Sequence, residues 1–307
     1  MSRYRNLALF VLLAAVWGSA FMAIKAGLAY LPPVLFAAVR YDLAGVVMLA
    51  YAWWAVDRWR PRTGAEWRLV AVGGVLMIAG YHAFLFVGER ETTSAAAAVI
   101  VSLSPALTTG FARALLPDER LAPAGLVGLV LGLAGVVVMA QPDPANLLAP
   151  DVVGRGLVFL AAASFALGSV LTRRSTASLP IETMEAWSMV LGAALMHVVS
   201  AAIGETPADV VLSSEALGAI AYLSLVASGV GFLIYFDLLD RLGPIQINLV
   251  SYVAPVFAAV AGYLWLDERV TGATVAGFLL IVAGFALVKR EALAAELRHR
   301  VGVARRS

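Results

Sequence analysis

The sequence predicts an all-α integral membrane protein with ten transmembrane helices, arranged as two inverted five-helix repeats. Three observations predict it. Of 307 residues, 62% are hydrophobic and only 14% charged, where a soluble domain carries about 25% charged residues. Ten apolar runs approach or exceed the roughly 20 residues that a bilayer-crossing helix needs. A motif in the first half of the chain recurs in the second. The composition leaves too little polar surface for a water-facing globule, which excludes a soluble enzyme, a nucleic-acid binder and a disordered regulator. Cysteine is absent, so disulfides, thiolate nucleophiles, Cys–zinc sites and iron–sulfur clusters are excluded as well.

The apolar runs place the first five spans at Leu7–Leu28, Val34–Val56, Leu69–Val87, Thr93–Leu116 and Pro123–Ala140. The second five fall at Gly156–Arg173, Ile181–Ile203, Ala216–Leu239, Ile245–Leu266 and Gly272–Val288. Short connections carry turn residues, as in Leu31-Pro32-Pro33, Pro117-Asp118-Glu119 and Leu242-Gly243-Pro244. The longest, 142–155, is read as an extracytoplasmic linker between repeats at 1–141 and 156–290. The first span is longer than the apolar core of a signal peptide. With the N-terminus inside, 16 Lys and Arg residues fall in inside segments and 4 in outside ones. That bias sets both termini in the cytoplasm, which requires an even number of spans. The basic segment Glu291–Ser307 is expected as a cytoplasmic tail near anionic lipid.

The repeat runs from Ser104-Pro105 to Val138 and again from Ala254-Pro255 to Leu287. Pro105 pairs with Pro255, Asp118-Glu119-Arg120 with Asp267-Glu268-Arg269, and Gly128 and Gly135 with Gly277 and Gly284. Five spans per copy is an odd number, so the second copy enters the membrane from the opposite side. Inverted halves can exchange conformations and move a central site from one face to the other, which is a transporter signature. The pairs Gly128/Gly132 and Ala273/Gly277 are small-xxx-small spacings, read as tight helix packing. They do not form a phosphate loop, because GxxxxGK[ST] is missing.

Trp17-Gly18-Ser19, Pro33 with Arg40, and Ser94-Ala95, Ser104-Pro105 and Glu119-Arg120 over the fourth span resemble the EamA-type half-repeat. The half-repeat recurs as Gly243, Pro255 and Glu268-Arg269. The chain thus resembles ten-helix members of the drug/metabolite transporter (DMT) superfamily, among them YddG-type amino acid exporters. The resemblance implies a central cavity between the halves, lined by helices 1, 3, 4, 6, 8 and 9, and export of amino acids or similar small metabolites. YddG-type members carry aromatics just before the helix-4 proline, where this chain has Ser102, Leu103 and Ser104.

Side chains that are costly or unusual in a span are the candidate site. His82 within the third span must reach water, a partner or a solute, and Tyr81 adjoins it. Trp17 lies mid-span, away from the interface where tryptophan concentrates, and Phe165 is its counterpart in the second half. Ser102 and Ser104 precede Pro105, and Asn248 and Tyr252 precede Pro255. These groups either serve a solute or repair a backbone opened by proline. Trp187 is a candidate for the cavity rim. Arg40 is read either as a structural partner of Glu89 or Glu91 or as a carboxylate clamp, and Asp42 as a proton site. Asp237 and Arg241, one turn apart, are expected to pair.

The expected partners are a small-molecule solute and the lipid bilayer of the plasma (inner) membrane, with no nucleic acid, cofactor or metal and no need for an oligomer. A nucleotide-sugar or phosphate-type carrier of the same superfamily is the alternative, but it calls for a basic cavity, and only Arg40 and Lys25 offer charge. An intramembrane enzyme is disfavoured because neither HExxH nor GxSxG occurs.

Overall fold

A computed structural model describes residues 2–116, 123–141, 146–288 and 290. The Asp118-Glu119-Arg120 copy of the repeated motif, linker residues 142–145 and the tail 291–307 lie outside the described residues. The helices are α1 (Ser2–Gly27), α2 (Pro33–Ala55), α3 (Gly64–Glu89), α4 (Ser94–Leu115), α5 (Pro123–Ala140), α6 (Pro150–Arg174), α7 (Ile181–Ala202), α8 (Ser214–Gly243), α9 (Val250–Leu266) and α10 (Gly272–Val288). The first eight are long and apolar enough to cross a membrane. The 17 residues of each of the last two give about 26 Å at 1.5 Å per residue, the short end of a spanning length.

Local chemistry sets the helix ends. Pro33 and Pro150 occupy first-turn positions of α2 and α6, where a missing N–H costs nothing. Thr63 and Glu66 form a capping box at α3, and Thr93 accepts from the Ala96 N–H at α4. The α6 helix starts six residues before the apolar run does, because Asp151 and Arg155 sit in its first turns as an i, i+4 ion pair at 3.1 Å. The end of the predicted linker is therefore helical. The expected Asp237–Arg241 pair is present at 2.8 Å, and Arg5 reaches the same carboxylate at 3.5 Å.

Helix packing follows an exchange of halves, α1 with α6 through α5 with α10. The α1–α9 contact maps onto α6–α4, α3–α6 onto α8–α1, and α3–α7 onto α8–α2. The α2–α7, α4–α9 and α5–α10 contacts map onto themselves. The backbone repeats too. The middle of α3, Gly73–Gly80, and of α8, Tyr222–Val230, is wound as π-helix, and the two stretches are separated by the same offset as the sequence motif. The fourth and ninth spans are each interrupted, at residues 102–103 and 248–249.

The buried residues of α5 are Gly125, Gly128, Gly132, Gly135 and Met139, while Leu126, Val127 and Val130 face outward. A Cβ on Gly135 would lie 2.7 Å from the Gly277 carbonyl oxygen of α10. The paired small residues read from the sequence therefore bring the two backbones together. Exposed Trp53 and Trp54 at the end of α2, and Tyr263 and Trp265 at the end of α9, suit a lipid headgroup boundary.

A carboxylate from the α7–α8 connection seats α2. Glu205 accepts from the backbone N–H groups of Val34 (3.0 Å) and Leu35 (2.7 Å) and from the Ser200 hydroxyl (2.8 Å). It neutralises the positive end of the α2 dipole across the boundary between halves. Glu205→Ala is expected to cost about 1–2 kcal/mol, measurable as a lower midpoint in chemical denaturation.

Candidate functional site

The site grows from Trp17-Gly18-Ser19, whose residues point three ways. Trp17 Nε1 donates to the Ala227 carbonyl oxygen, inside the π-helical stretch of α8, at 3.1 Å. Its ring lies 5.5 Å from that of Tyr235 and 6.0 Å from that of Phe232. Gly18 lies against the α9 backbone at Ala254 and Ala258. Ser19 Oγ shares a 2.7 Å hydrogen bond with the Tyr222 hydroxyl. A wide π turn shifts carbonyls out of the ordinary α register, and such turns concentrate at functional sites. The other half repeats the device, since Ser164 Oγ of α6 donates to Leu76 O in the π-helical stretch of α3 at 2.7 Å.

The same stretch of α8 receives α2. Arg40 is 7% exposed, and its Nη2 donates to Ser228 Oγ at 3.3 Å. Ser224 Oγ donates to the Arg40 carbonyl oxygen at 3.1 Å. The guanidinium stands over the Tyr41 and Phe86 rings, 5.0 and 6.0 Å from their centres, an attraction that desolvation strengthens. The expected Arg40 pair with Glu89 or Glu91 does not form among the described residues, because the side chain turns to α8 instead. Arg40 Nε is buried without a hydrogen-bond partner. Glu185 of α7 is buried as well.

His82 is held at both ring nitrogens. Nδ1 lies 2.8 Å from the Ile78 carbonyl oxygen and Nε2 lies 2.7 Å from the Tyr41 hydroxyl. A carbonyl only accepts, so Nδ1 carries a hydrogen, and in the neutral ring Nε2 accepts from Tyr41. His82 therefore positions Tyr41 and has no nitrogen left over for a solute. Tyr81 stacks edge-on to His82, and 5.5 Å from Phe165 of α6.

Of the residues singled out from sequence, Trp17, Arg40, Tyr81, His82 and Phe165 thus gather around α3 and α8. The others are placed elsewhere. Trp187 donates to the Trp59 carbonyl oxygen at 2.9 Å and packs on the Trp59 and Trp67 rings, beside the α2–α3 connection. Asp42 is exposed and pairs with His197 at 2.7 Å. Ser104 Oγ donates to Val101 O at 2.7 Å, the carbonyl that Pro105 deprives of its helical N–H, and Ser102 Oγ donates to Val99 O at 2.6 Å. Asn248 is exposed at the break before α9. Tyr252 stacks on Phe285 at 4.4 Å, with its hydroxyl buried and unpartnered. The structure adds Tyr41, Glu185, Tyr222, Ser224, Ser228 and Tyr235. Sequence signals for these were Glu185, an ionisable residue inside the seventh span, and the pair Ser224 and Ser228, one turn apart in an apolar run.

A sequence model of the EamA-like transporter family matches residues 5–141 and 153–290. The chain is 25% identical to the uncharacterized transporter YvbV of Bacillus subtilis (strain 168), over 96% of this chain and 94% of that protein. It is 29% identical to the uncharacterized inner membrane transporter YedA of Escherichia coli (strain K12), over 80% of this chain and 78% of that protein. A solved crystal structure matches with a TM-score of 0.65 and 26% identity, covering 95% of this chain and 99% of that one. Each family match takes in five of the helices described above, and the chain is a multi-pass membrane transporter that belongs to the EamA-like transporter family of the DMT superfamily.

Proposed function

We propose that this transporter exports amino acids or similar small zwitterionic metabolites across the plasma (inner) membrane by alternating access, with both termini cytoplasmic and residues 1–141 and 156–290 as its two moving units. The observation that carries the substrate class is the buried Arg40 guanidinium, whose Nε has no hydrogen-bond partner. A solute carboxylate matches that guanidinium, and the buried Glu185 of α7 is the acidic group assigned to a solute ammonium. The Trp17, Tyr235 and Phe232 rings supply apolar surface beside them. Alternating access is supported by the matched π-helical stretches, each of which accepts a side chain from the opposite half.

Proteoliposomes loaded with a mixture of labelled amino acids test the reading, with and without a pH gradient. Efflux above that of empty-vector liposomes is expected. No efflux of any amino acid would remove the substrate assignment. Trp17→Ala and His82→Ala are each expected to slow efflux about tenfold, the worth of one buried hydrogen bond, while inserting normally. Wild-type rates in both variants would remove the site assignment.

A further inference from the structure

A second set of side chains lies at the α3–α4 turn. Glu89, the last residue of α3, is fully buried, and neither of its carboxylate oxygens has a hydrogen-bond partner. Thr92 Oγ1 and Ser94 Oγ, on residues 6% and 0% exposed, are also unpartnered. These are four of the eight buried side-chain atoms without a partner among the described residues, and they fall within six consecutive positions. Buried polar groups are nearly always paired.

Two nearby donors, Lys25 Nζ and the Ser94 backbone N–H, are committed elsewhere, while Arg155 Nε and Arg40 Nε are buried without partners. Lys25 Nζ donates to the backbone carbonyl oxygens of Glu89 (2.9 Å) and Arg90 (2.7 Å). The Ser94 backbone N–H donates to both carboxylate oxygens of Glu268, at 3.0 and 3.1 Å. The charges that act on Glu89 are Lys25 from α1, Arg40 from α2 and Glu268 from beyond α9. Arg90 and Glu91 follow it in the chain. The α6 helix, packed on Gly88 through Gly154, brings Asp151 and Arg155, which pair with each other.

We propose that Glu89, Thr92 and Ser94 bind a small monovalent cation, a proton or Na+, at the α3–α4 turn. A carboxylate without a donor needs a counter-charge in a buried site. The two hydroxyls supply oxygen lone pairs and can turn to suit the ion. The C-terminal end of α3 is the negative end of its dipole. Glu268 of the second half holds the first turn of α4 of the first, so the ion sits where the halves meet, and occupancy changes that contact. An ion gradient would thereby couple to the transport proposed above, while the binding step is independent of that reading.

The test is the melting temperature of the purified full-length protein at constant ionic strength, with Na+ exchanged for choline, and separately across neutral pH in choline. A saturable Na+ stabilisation that Glu89→Gln lacks identifies sodium. A pH response in choline that Glu89→Gln lacks identifies the proton. Thr92→Val is expected to weaken the sodium response about tenfold, or to shift the midpoint of the pH response. Identical responses in wild type and Glu89→Gln overturn the proposal. Should Glu89→Gln fail to fold, unchanged responses in both Thr92→Val and Ser94→Ala overturn it. No solute enters the assay, so a negative result leaves the transport reading standing.

Discussion

Gly18→Leu is expected to lower the melting temperature of the detergent-purified protein by about 5 °C, and to slow transport with it. A Cβ at this position would lie 2.6 Å from Phe257 Cβ and 3.1 Å from the Ala258 nitrogen, and would overlap the Ala254 carbonyl oxygen. Two of those three atoms are α9 backbone, so no rotamer change relieves the clash. The α1 helix must back away from α9. The adjacent Trp17–Ala227 and Ser19–Tyr222 hydrogen bonds are then pulled out of register. Gly156→Leu is the control, because a Cβ on Gly156 meets nothing within 4 Å, and its melting temperature is expected to match or exceed that of wild type. Equal melting of the Gly18 variant and the control would show that α1 and α9 do not rely on this contact.

Arg40→Met is expected to separate transport from stability. Charge-assisted hydrogen bonds carry about 1.5–3 kcal/mol, so loss of the guanidinium from a solute carboxylate predicts efflux slower by about ten- to a hundredfold. Stability is expected to hold, because methionine fills much of the volume and Arg40 makes no ion pair among the described residues. The remaining partner, the Ser228 hydroxyl, is neutral and can turn to a backbone carbonyl. Efflux in proteoliposomes and melting in detergent, measured on one preparation, check both halves. A variant that melts early and transports poorly in proportion would mark Arg40 as structural.

The spans were legible because a lipid-facing helix must be apolar throughout, and the inverted repeat because the proline, the acid-Arg motif and the glycines recur together. The start of α6 was obscured by Asp151 and Arg155, charges that interrupt an apolar count while suiting a helix terminus. The π-helical stretches left no mark, since Gly73–Gly80 and Tyr222–Val230 differ from α-helix in hydrogen-bond register rather than in residue type. Trp17 and His82 stood out as residues that are expensive or misplaced in a span. Tyr41, Tyr222 and Ser228 did not, because hydroxyl residues are common in membrane helices and only the facing helix gives them a role. Arg40 was found, but its partner was not. Sequence gives depth along a helix, whereas the choice of α8 over the end of α3 depends on rotation about the helix axis.

The glycine face that α5 turns to α10 also bears on motion. Most helix contacts in this fold map onto different contacts when the halves are exchanged, but the α5–α10 seam maps onto itself. Two backbones already touching have no slack in which to open a cleft, and lipid tails gain little by wedging between them. In the alternating-access cycle proposed above, that seam would be the stationary fulcrum, and opening and closing would fall to the helices farthest from it.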